Sequence, residues 1–338
     1  MSQLITLEHG SGGQKMQSLI KEMFLHHFNN EQLNNLEDQA RIPLDALAQQ
    51  GDRLAFATDS FVIDPIFFPG GNIGKLAVCG TVNDLAVGGA IPKYLSVGFV
   101  LEEGLPMTDL EQIVIAMAQT AKEAGVSIVT GDTKVVARGA CDKIFINTAG
   151  IGVIPSQCNV ATTEIQNGDK IIVTGTLGDH AVAILQARNE LALSGSIVSD
   201  CAPLNLLTQP LLQHPGVHAM RDATRGGVAA VCNEIADQSK LGMIINEASL
   251  PLHPEVTAVS EILGLDPLLM ANEGKAVIFV DAKQAESLLA TIKSLPFGQD
   301  ATIIGNVVNS VDGVFIESLY GAQKKLFMPT GEQLPRIC

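Results

Sequence analysis

The sequence has 338 residues, of which 46% are hydrophobic and 17% charged, and its formal net charge is -15. This composition excludes general disorder, and the length favours two domains over a single hydrophobic core. The negative charge, with no basic run to offset it, excludes nucleic acid and anionic membranes as partners. Since the sequence shows neither a leader-peptide pattern nor an apolar run of membrane-spanning length, we expect a cytoplasmic protein.

Hydrophobic periodicity in the first half of the chain predicts four strands and two helices, followed by a polar linker. The predicted strands are 53–58, 93–101, 126–130 and 143–154, the helices are 71–89 and 107–124, and the linker is 156–169. These strands do not alternate strictly with helices.

The second half carries a similar mixture of elements. The predicted strands are 170–174, 242–247, 276–281, 301–308 and 313–317, and the predicted helices are 178–189, 203–213, 226–238, 254–263 and 283–294. Because strand and helix do not alternate strictly in either half, we expect an α+β fold with mixed sheets, each covered by helices, rather than a doubly wound sheet.

A glycine-rich loop near the N-terminus precedes a helix that is predicted to begin near Gln14. The loop consists of His9, Gly10, Ser11, Gly12 and Gly13. Backbone N–H groups at such a helix start can bind phosphate. The loop lacks the lysine and hydroxyl residue of a P-loop, so a flexible N-terminal turn is an equally good interpretation.

Acidic residues follow two predicted strands and interrupt one predicted helix. Asp59 closes the strand 53–58, Asp132 follows the strand 126–130, and Asp84 lies on a narrow face of small residues in the helix 71–89. Three carboxylates from three elements suit Mg²⁺, which bridges oxygen ligands to phosphates, and Lys134 would then neutralise phosphate charge. The alternative is that the three are separate caps and turn residues.

Three later motifs place charged residues beside glycines. They are Leu177-Gly178-Asp179-His180, Asp222-Ala223-Thr224-Arg225-Gly226-Gly227 and Ala271-Asn272-Glu273-Gly274-Lys275. Glu273 stands in a tight polar turn directly before a predicted strand, where a lone glutamate is usually a turn residue.

The C-terminal residues are expected to form an irregular, extended tail that ends in the thiol of Cys338. Pro329, Gly331 and Pro335 exclude regular structure from the stretch that begins at Lys324 and ends at Cys338. About fifteen extended residues reach roughly 50 Å, enough for one thiol to visit two sites, as a group carrier requires. A frayed terminus that happens to end in cysteine is the alternative interpretation. The other five cysteines lie in apolar or small-residue surroundings typical of core thiols.

The motifs together resemble one known family. HGSGG, TDS, FFPGGNIGKLAVCGTVNDLAVGGA, GDTKVV, DATRGG, ANEGK and the terminal PRIC occur in the order and spacing of the HypE family of hydrogenase maturation proteins, within the PurM-like (aminoimidazole ribonucleotide synthetase) superfamily. The resemblance spans essentially the whole chain. The nucleotide motifs alone would fit selenophosphate synthetase or thiamine-monophosphate kinase, whereas PRIC singles out the hydrogenase branch.

The resemblance implies a PurM-like two-domain fold with a flexible C-terminal tail. An ATP-binding and dimerisation domain would cover 1–155, a second PurM-like domain 165–320, and the tail 321–338. It also implies a homodimer in which the N-terminal sheets pack together and the nucleotide binds near that interface.

The resemblance also implies an activity and its partners. A HypF-like carbamoyltransferase would carbamoylate Cys338, and the chain would dehydrate the carbamoyl group with ATP and Mg²⁺ to a thiocyanate. The nitrile would pass to iron on a HypC–HypD complex as the CN ligand of the NiFe-hydrogenase centre. A carbamoyl carrier without dehydratase activity and another PurM-like kinase or cyclo-ligase are the alternatives.

Residue roles follow from the same resemblance. Asp59, Asp84 and Asp132 map onto carboxylates that bind nucleotide and metal, and Thr133 and Lys134 belong to the phosphate site. Residues 9–13 would form a lid over the phosphates, and residues 335–337 would fix the approach of the thiol. Glu273 is the candidate for the base or for metal support, although Glu273 and His9 could exchange roles.

Overall fold

Two mixed β-sheets organise the chain in the structure, a computed structural model that describes residues 4–188, 195–331, 334 and 336–338. The strands of the first half are β1 (Arg53–Phe61), β2 (Phe67–Phe68), β3 (Gly71–Asn72), β4 (Ile91–Glu102), β5 (Ser127–Val136) and β6 (Ile144–Ile154). Four of them form a sheet in the order β1-β6-β4-β5, in which β4 and β5 are parallel and the other pairs antiparallel.

Two long helices cover one face of this four-stranded sheet. The helices of the first half are α1 (Gln14–Leu19), α2 (Leu25–Phe28), α3 (Glu31–Asn34), α4 (Leu44–Ala48), α5 (Ile73–Val87) and α6 (Met107–Ala124), with a π-helical turn, Ile20–Phe24, between α1 and α2. The Asn72 side chain caps α5 by accepting from the N–H groups of Gly74 and Lys75. Gly80 lets α5 approach β1, because a Cβ there would lie 2.7 Å from the Phe61 ring.

The other face of the sheet carries exposed apolar side chains. Leu54 and Phe56 on β1 are 58% and 72% exposed. Side chains alternate between the two faces of a strand, so these residues point away from α5 and α6. Such an uncovered apolar face is typical of an interaction surface.

The second half forms a seven-stranded sheet in the order β13-β12-β9-β11-β7-β10-β8. Its strands are β7 (Lys170–Val173), β8 (Val217–Asp222), β9 (Gly242–Asn246), β10 (Ala276–Val280), β11 (Thr302–Val308), β12 (Val314–Glu317) and β13 (Gln323–Lys325). Its helices are α7 (Asp179–Arg188), α8 (Asn205–Thr208), α9 (Gly227–Ser239), α10 (Pro254–Leu263) and α11 (Ala285–Ser294). The β9–β12 pair is parallel and the others are antiparallel, so this sheet is also mixed.

The predicted α+β fold with mixed, helix-covered sheets is confirmed, with local differences such as the predicted helix 203–213, which is only Asn205–Thr208 and a 3₁₀ turn, Gln209–Leu211. The strand β8 was not predicted, although its end contributes to the site described below. The stretch predicted to lack regular structure from Lys324 onward begins with part of β13, which pairs with β12. Within the described ranges, none of the helices combines the length and hydropathy needed to span a bilayer.

Candidate active site

A small pocket between the two halves of the chain brings the terminal cysteine together with acidic residues. It is lined by Thr58, Asp59, Gly80, Asp84, Asp222, Thr224, Arg225, Glu273 and Cys338. Four of the residues predicted to be functional, Asp59, Asp84, Glu273 and Cys338, therefore share one site.

Asp59 and Asp84 reach the pocket from β1 and α5. Asp59 points to the helix-covered face of the sheet, where the Cβ position of Gly80 lies 3.7 Å from its Oδ2. The pKa of Asp84 is raised to about 7, chiefly because burial disfavours the charged form and also because Asp222 and Asp59 are negative. The pocket thus concentrates more negative charge than its own cations neutralise.

Glu273 is the most buried acidic residue in the pocket. Its side chain is 2% exposed, and its Oε1 has no hydrogen-bond partner among the described residues. Burial raises its pKa well above the ordinary value, and the surrounding Cys201, Asp200, Asp222 and Asp59 act in the same direction. A carboxyl group held in this way keeps its proton to a higher pH than an exposed glutamate does.

The loop that carries Glu273 is held by Asp200. The two oxygens of Asp200 accept from the backbone N–H groups of Glu273, at 3.2 Å, and Gly274, at 3.1 Å. Gly274 permits this approach, because a Cβ there would lie 1.9 Å from the carbonyl oxygen of Asp200. Lys275 lies 3.7 Å from Asp200 and offsets its charge. The hydrogen bonds from Asp200 to the backbone of this loop therefore fix the position of Glu273.

Two charged residues of the pocket were not predicted as site residues. Asp222 ends β8, and burial raises its pKa. Arg225 lies 3.4 Å from Asp59 and is 60% exposed at the pocket mouth. Both belong to the motif 222–227, which was noted in the sequence but was given no role. The adjacent Gly226 and Gly227 have φ angles of 76° and 61°, which favour glycine.

The tip of the tail is docked against the segment that follows β1. The N–H of Val62 donates to a backbone oxygen of Cys338 at 3.4 Å, and the N–H of Asp64 donates to the carbonyl of Arg336 at 3.2 Å. The Ile337 side chain is 7% exposed and packs in the hydrophobic core. These contacts direct Cys338 into the pocket. Pro335, which was expected to help fix this approach, lies outside the described residues.

Arg336 forms a separate set of contacts. Its Nη1 lies 2.8 Å from Asp142, and its Nε donates to the carbonyl of Val62 at 3.2 Å. The tail is thus held by both its side chains and its backbone.

Asp132 and Lys134 lie outside this pocket. Their side chains pair at 3.0 Å and are 64% and 65% exposed. The β-sheet register aligns Asp132 with Gly98, Asn147 and Ser60, so it points to the open face, opposite to Asp59. The prediction that Asp59, Asp84 and Asp132 form one metal site within a chain therefore needs correction. In the part of the chain that the structure describes, no three His, Cys, Asp or Glu residues converge as a metal cluster.

Comparisons with known proteins agree with these motifs. Models of AIR synthase related proteins match residues 37–154, as the N-terminal domain, and 166–317, as the C-terminal domain. The carbamoyl dehydratase HypE of Escherichia coli is 57% identical over 334 residues, with 99% of each chain covered. The chain belongs to the HypE family.

Two solved structures extend the comparison. A HypE in complex with ATP is 46% identical with a TM-score of 0.92, and the match covers 98% of this chain and 99% of that one. The chain from a HypE–HypF complex is 45% identical with a TM-score of 0.80, and the match covers 92% and 100%. The predicted PurM-like fold is confirmed by these similarities.

The N-terminal loop of this HypE family member packs beside β5 rather than in the cysteine pocket. A Cβ on Gly10 would lie 2.8 Å from the backbone nitrogen of Val135. His9 is engaged locally, since its Nδ1 accepts from the N–H of Thr6 at 3.0 Å. Of the two candidate bases, Glu273 is the one that the structure places beside Cys338.

An apolar cavity lies next to the loop and Asp132. Its walls come from the first helices and from β4 and β5, namely Met16, Ile20, Phe24, Leu25, Phe28, Leu33, Val97, Phe99, Ile128 and residues 130–133. Thr133 is buried there, whereas Asp132 and Lys134 mark the polar edge. An apolar wall with a polar edge and a glycine-rich loop suits a planar base attached to phosphates.

Proposed function

We propose that this chain dehydrates an S-carbamoyl group on Cys338 to a thiocyanate in an ATP-dependent reaction, supplying the CN ligand of the NiFe-hydrogenase iron. The observation that carries the proposal is the position of Cys338 in one pocket with Glu273 and three aspartates. A carrier that only stores the carbamoyl group would need the thiol but would have no use for buried carboxylates around it.

Glu273 is the proposed base. Dehydration leaves a C≡N bond on sulfur: one N–H proton would be released to water as the carbamoyl oxygen is phosphorylated, and Glu273 would take the second as that oxygen leaves with phosphate. The raised pKa of Glu273 makes it a good proton acceptor once it is ionised. The buried pocket also keeps water from hydrolysing the activated carbamoyl group.

Bound ATP and Mg²⁺ would supply the phosphoryl group that makes the carbamoyl oxygen a leaving group. Asp59, Asp84 and Asp222 suit a divalent cation, because they line one pocket in which burial, and then the negative charges of Asp222 and Asp59, raise the pKa of Asp84. Mg²⁺ commonly binds one or two carboxylates together with phosphate oxygens, so a complete protein cage is not required.

The remaining nucleotide contacts are assigned to the β5 edge, which lies on the opposite face of the sheet from Asp59, so the two sets would meet on one nucleotide across the proposed homodimer. We propose that the apolar cavity holds the base, while Asp132, Thr133, Lys134 and Gly10 to Gly13 bind near the phosphates. His9 would then act in the lid and not as the base. Arg225, at the mouth of the pocket, would bind phosphate oxygens once a cation takes its place beside Asp59.

The partners are proposed from the family. The solved HypE–HypF complex supports a HypF-like carbamoyltransferase as the donor, and a HypC–HypD complex would receive the nitrile. The uncovered apolar face supports a homodimer through the four-stranded sheet, which would also cover Asp132 and Lys134. We retain the predicted division into 1–155, 165–320 and 321–338 and the cytoplasmic location as parts of the proposal.

Intact-mass spectrometry tests the reaction. Protein carbamoylated at Cys338 by the carbamoyltransferase should lose the mass of one water when ATP and Mg²⁺ are added, and should be stable without them. Cys338→Ser should show no such loss while it retains nucleotide binding and the wild-type unfolding temperature. Water loss without ATP would exclude the phosphorylation route, and no loss under any condition would favour the carrier.

A further inference from the structure

His180 connects the docked tail to the interior of the second half of the chain. It is fully buried, and its Nε2 lies 2.7 Å from the carbonyl oxygen of Ile337. Its Nδ1 lies 2.7 Å from the Ser199 hydroxyl, and its ring and that of Phe68 are perpendicular, with the centroids 5.5 Å apart. The motif that contains it, 177–180, has no role in the proposed chemistry.

The direction of each hydrogen bond follows from the groups involved. A carbonyl oxygen can only accept, so Nε2 of His180 carries the hydrogen and donates to Ile337. The neutral ring then accepts at Nδ1 from the Ser199 hydroxyl. Ser199 Oγ in turn accepts from the N–H of Cys201 at 3.1 Å. One continuous chain of hydrogen bonds therefore ends on the last peptide of the tail.

The same segment also holds the Glu273 loop. Asp200 lies between Ser199 and Cys201, and its two oxygens accept from the N–H groups of Glu273 and Gly274. A movement of residues 199–201 would thus disturb the tail on one side and Glu273 on the other.

We propose that His180 is a positioning residue that holds the tail in its docked state through the Ile337 carbonyl and, through Ser199, aligns the Cys338 thiol with Glu273. The alignment rests on the proposed dehydratase function, whereas the docking does not. His180 touches neither the thiol nor Glu273, so its effect is on the occupancy of the docked state.

Two variants, His180→Gln and His180→Asn, test whether the tail is held by the Nε2–H donor of His180 or by its ring as a whole. The Nε2 of glutamine replaces that of histidine, whereas the amide of asparagine reaches only the Nδ1 position. We expect His180→Asn to increase the rate of Cys338 alkylation by iodoacetamide about five- to tenfold, as the loss of one buried hydrogen bond implies. His180→Gln should stay within about twofold of wild type.

The alkylation measurement is specific because the other five cysteines are buried, and peptide mass spectrometry locates the label. Dehydration of the carbamoylated protein at saturating ATP should slow in His180→Asn by a smaller factor, with unchanged nucleotide affinity, because the docked state remains the more populated one. Because alkylation requires no turnover, a wild-type protein that fails to dehydrate would overturn the proposed function and leave the docking result interpretable.

Equal alkylation rates in folded His180→Asn and wild type would overturn the role of His180, as would a His180→Gln variant that is labelled as fast as His180→Asn. If His180→Asn does not fold, Ser199→Ala decides the question, with Ser260→Ala as the control. Ser260 is also buried, but its hydroxyl bonds within its own helix, to the carbonyl of Val256 at 2.7 Å. Labelling of Cys338 should accelerate in Ser199→Ala alone; equal rates in the two variants would overturn the proposal.

Discussion

The enclosed pocket and the open face of the four-stranded sheet contain similar acidic residues in opposite environments. In the pocket, burial raises the pKa of both Asp84 and Glu273. On the open face, Asp132 pairs with Lys134, and that hydrogen bond lowers the pKa of Asp132. The pKa values of similar carboxylates are therefore shifted in opposite directions, because one group is removed from water and the other is paired in it.

This difference assigns different tasks to the two regions. A buried carboxyl near its titration point can exchange protons or accept a cation. An exposed ion pair already compensates its own charge and contributes little to stability. Proton transfer is therefore expected in the pocket rather than at the edge.

The largest effect is expected from Glu273→Gln, which keeps the volume of the side chain and removes its ionisation. We expect the dehydration rate to fall by about 10²–10⁴-fold, the usual contribution of a general base, with nucleotide affinity within threefold of wild type. In wild type the rate should rise with pH as Glu273 ionises, because its raised pKa keeps it protonated at lower pH. That rise should be absent in Glu273→Gln.

Intact-mass measurements of single turnovers across a pH series check this prediction. Glu234→Gln is the control, since Glu234 pairs with Arg221 on the surface and is 40% exposed. A wild-type dehydration rate in Glu273→Gln would show that Glu273 does not transfer the proton. The assignment of proton transfer to the pocket would then be wrong.

Much of the fold could be predicted from sequence because most elements have clear periodicity, but the site could be predicted only in part. The strand that ends at Asp222 was missed, since Val217, Ala219 and Met220 are buried without strict alternation and His218 and Arg221 interrupt the apolar pattern. Missing this strand meant missing a pocket residue.

The sequence also did not predict to which face of the sheet each carboxylate points. Asp59 and Asp132 were predicted to end short strands, where side chains from several strands can converge. Both strands continue, to Phe61 and Val136, so alternation sends the two side chains to opposite faces. The docking of 336–338 on 62–64 joins segments that are far apart in the chain and has no local sequence signal.

An intermediate effect is expected from Phe56→Asp, which tests whether the open face is covered in solution. If a second copy packs there, an unpaired buried charge should weaken the dimer roughly 100-fold. Phe327→Asp is the matched control, because Phe327 is 68% exposed but lies outside the four-stranded sheet. Sedimentation velocity at several concentrations measures both variants. A wild-type monomer, or equal dissociation of the two variants, would contradict a dimer through this face.

The smallest effects are expected from Asp84→Asn and Asp132→Asn, which compare the two regions directly. The pKa of Asp84 rises from 3.8 to about 7 on folding, so its favourable contribution to stability is complete below about pH 4 and is lost as the pH rises through about 7. Asp84→Asn should therefore raise the free energy of unfolding of the nucleotide-free protein by about 1–3 kcal/mol at pH 8, and by much less at pH 4. Asp132→Asn removes one half of an exposed ion pair and should change this free energy by less than about 0.5 kcal/mol at either pH.

Urea unfolding of both variants and of wild type, with and without ATP and Mg²⁺, measures these free energies. Without ligand, Asp84→Asn should be more stable than wild type. ATP and Mg²⁺ should stabilise this variant much less than they stabilise wild type, because the carboxylate that is unfavourable without a cation is the group that would bind the cation. Equal pH dependence in the two variants would show that burial does not separate the two regions.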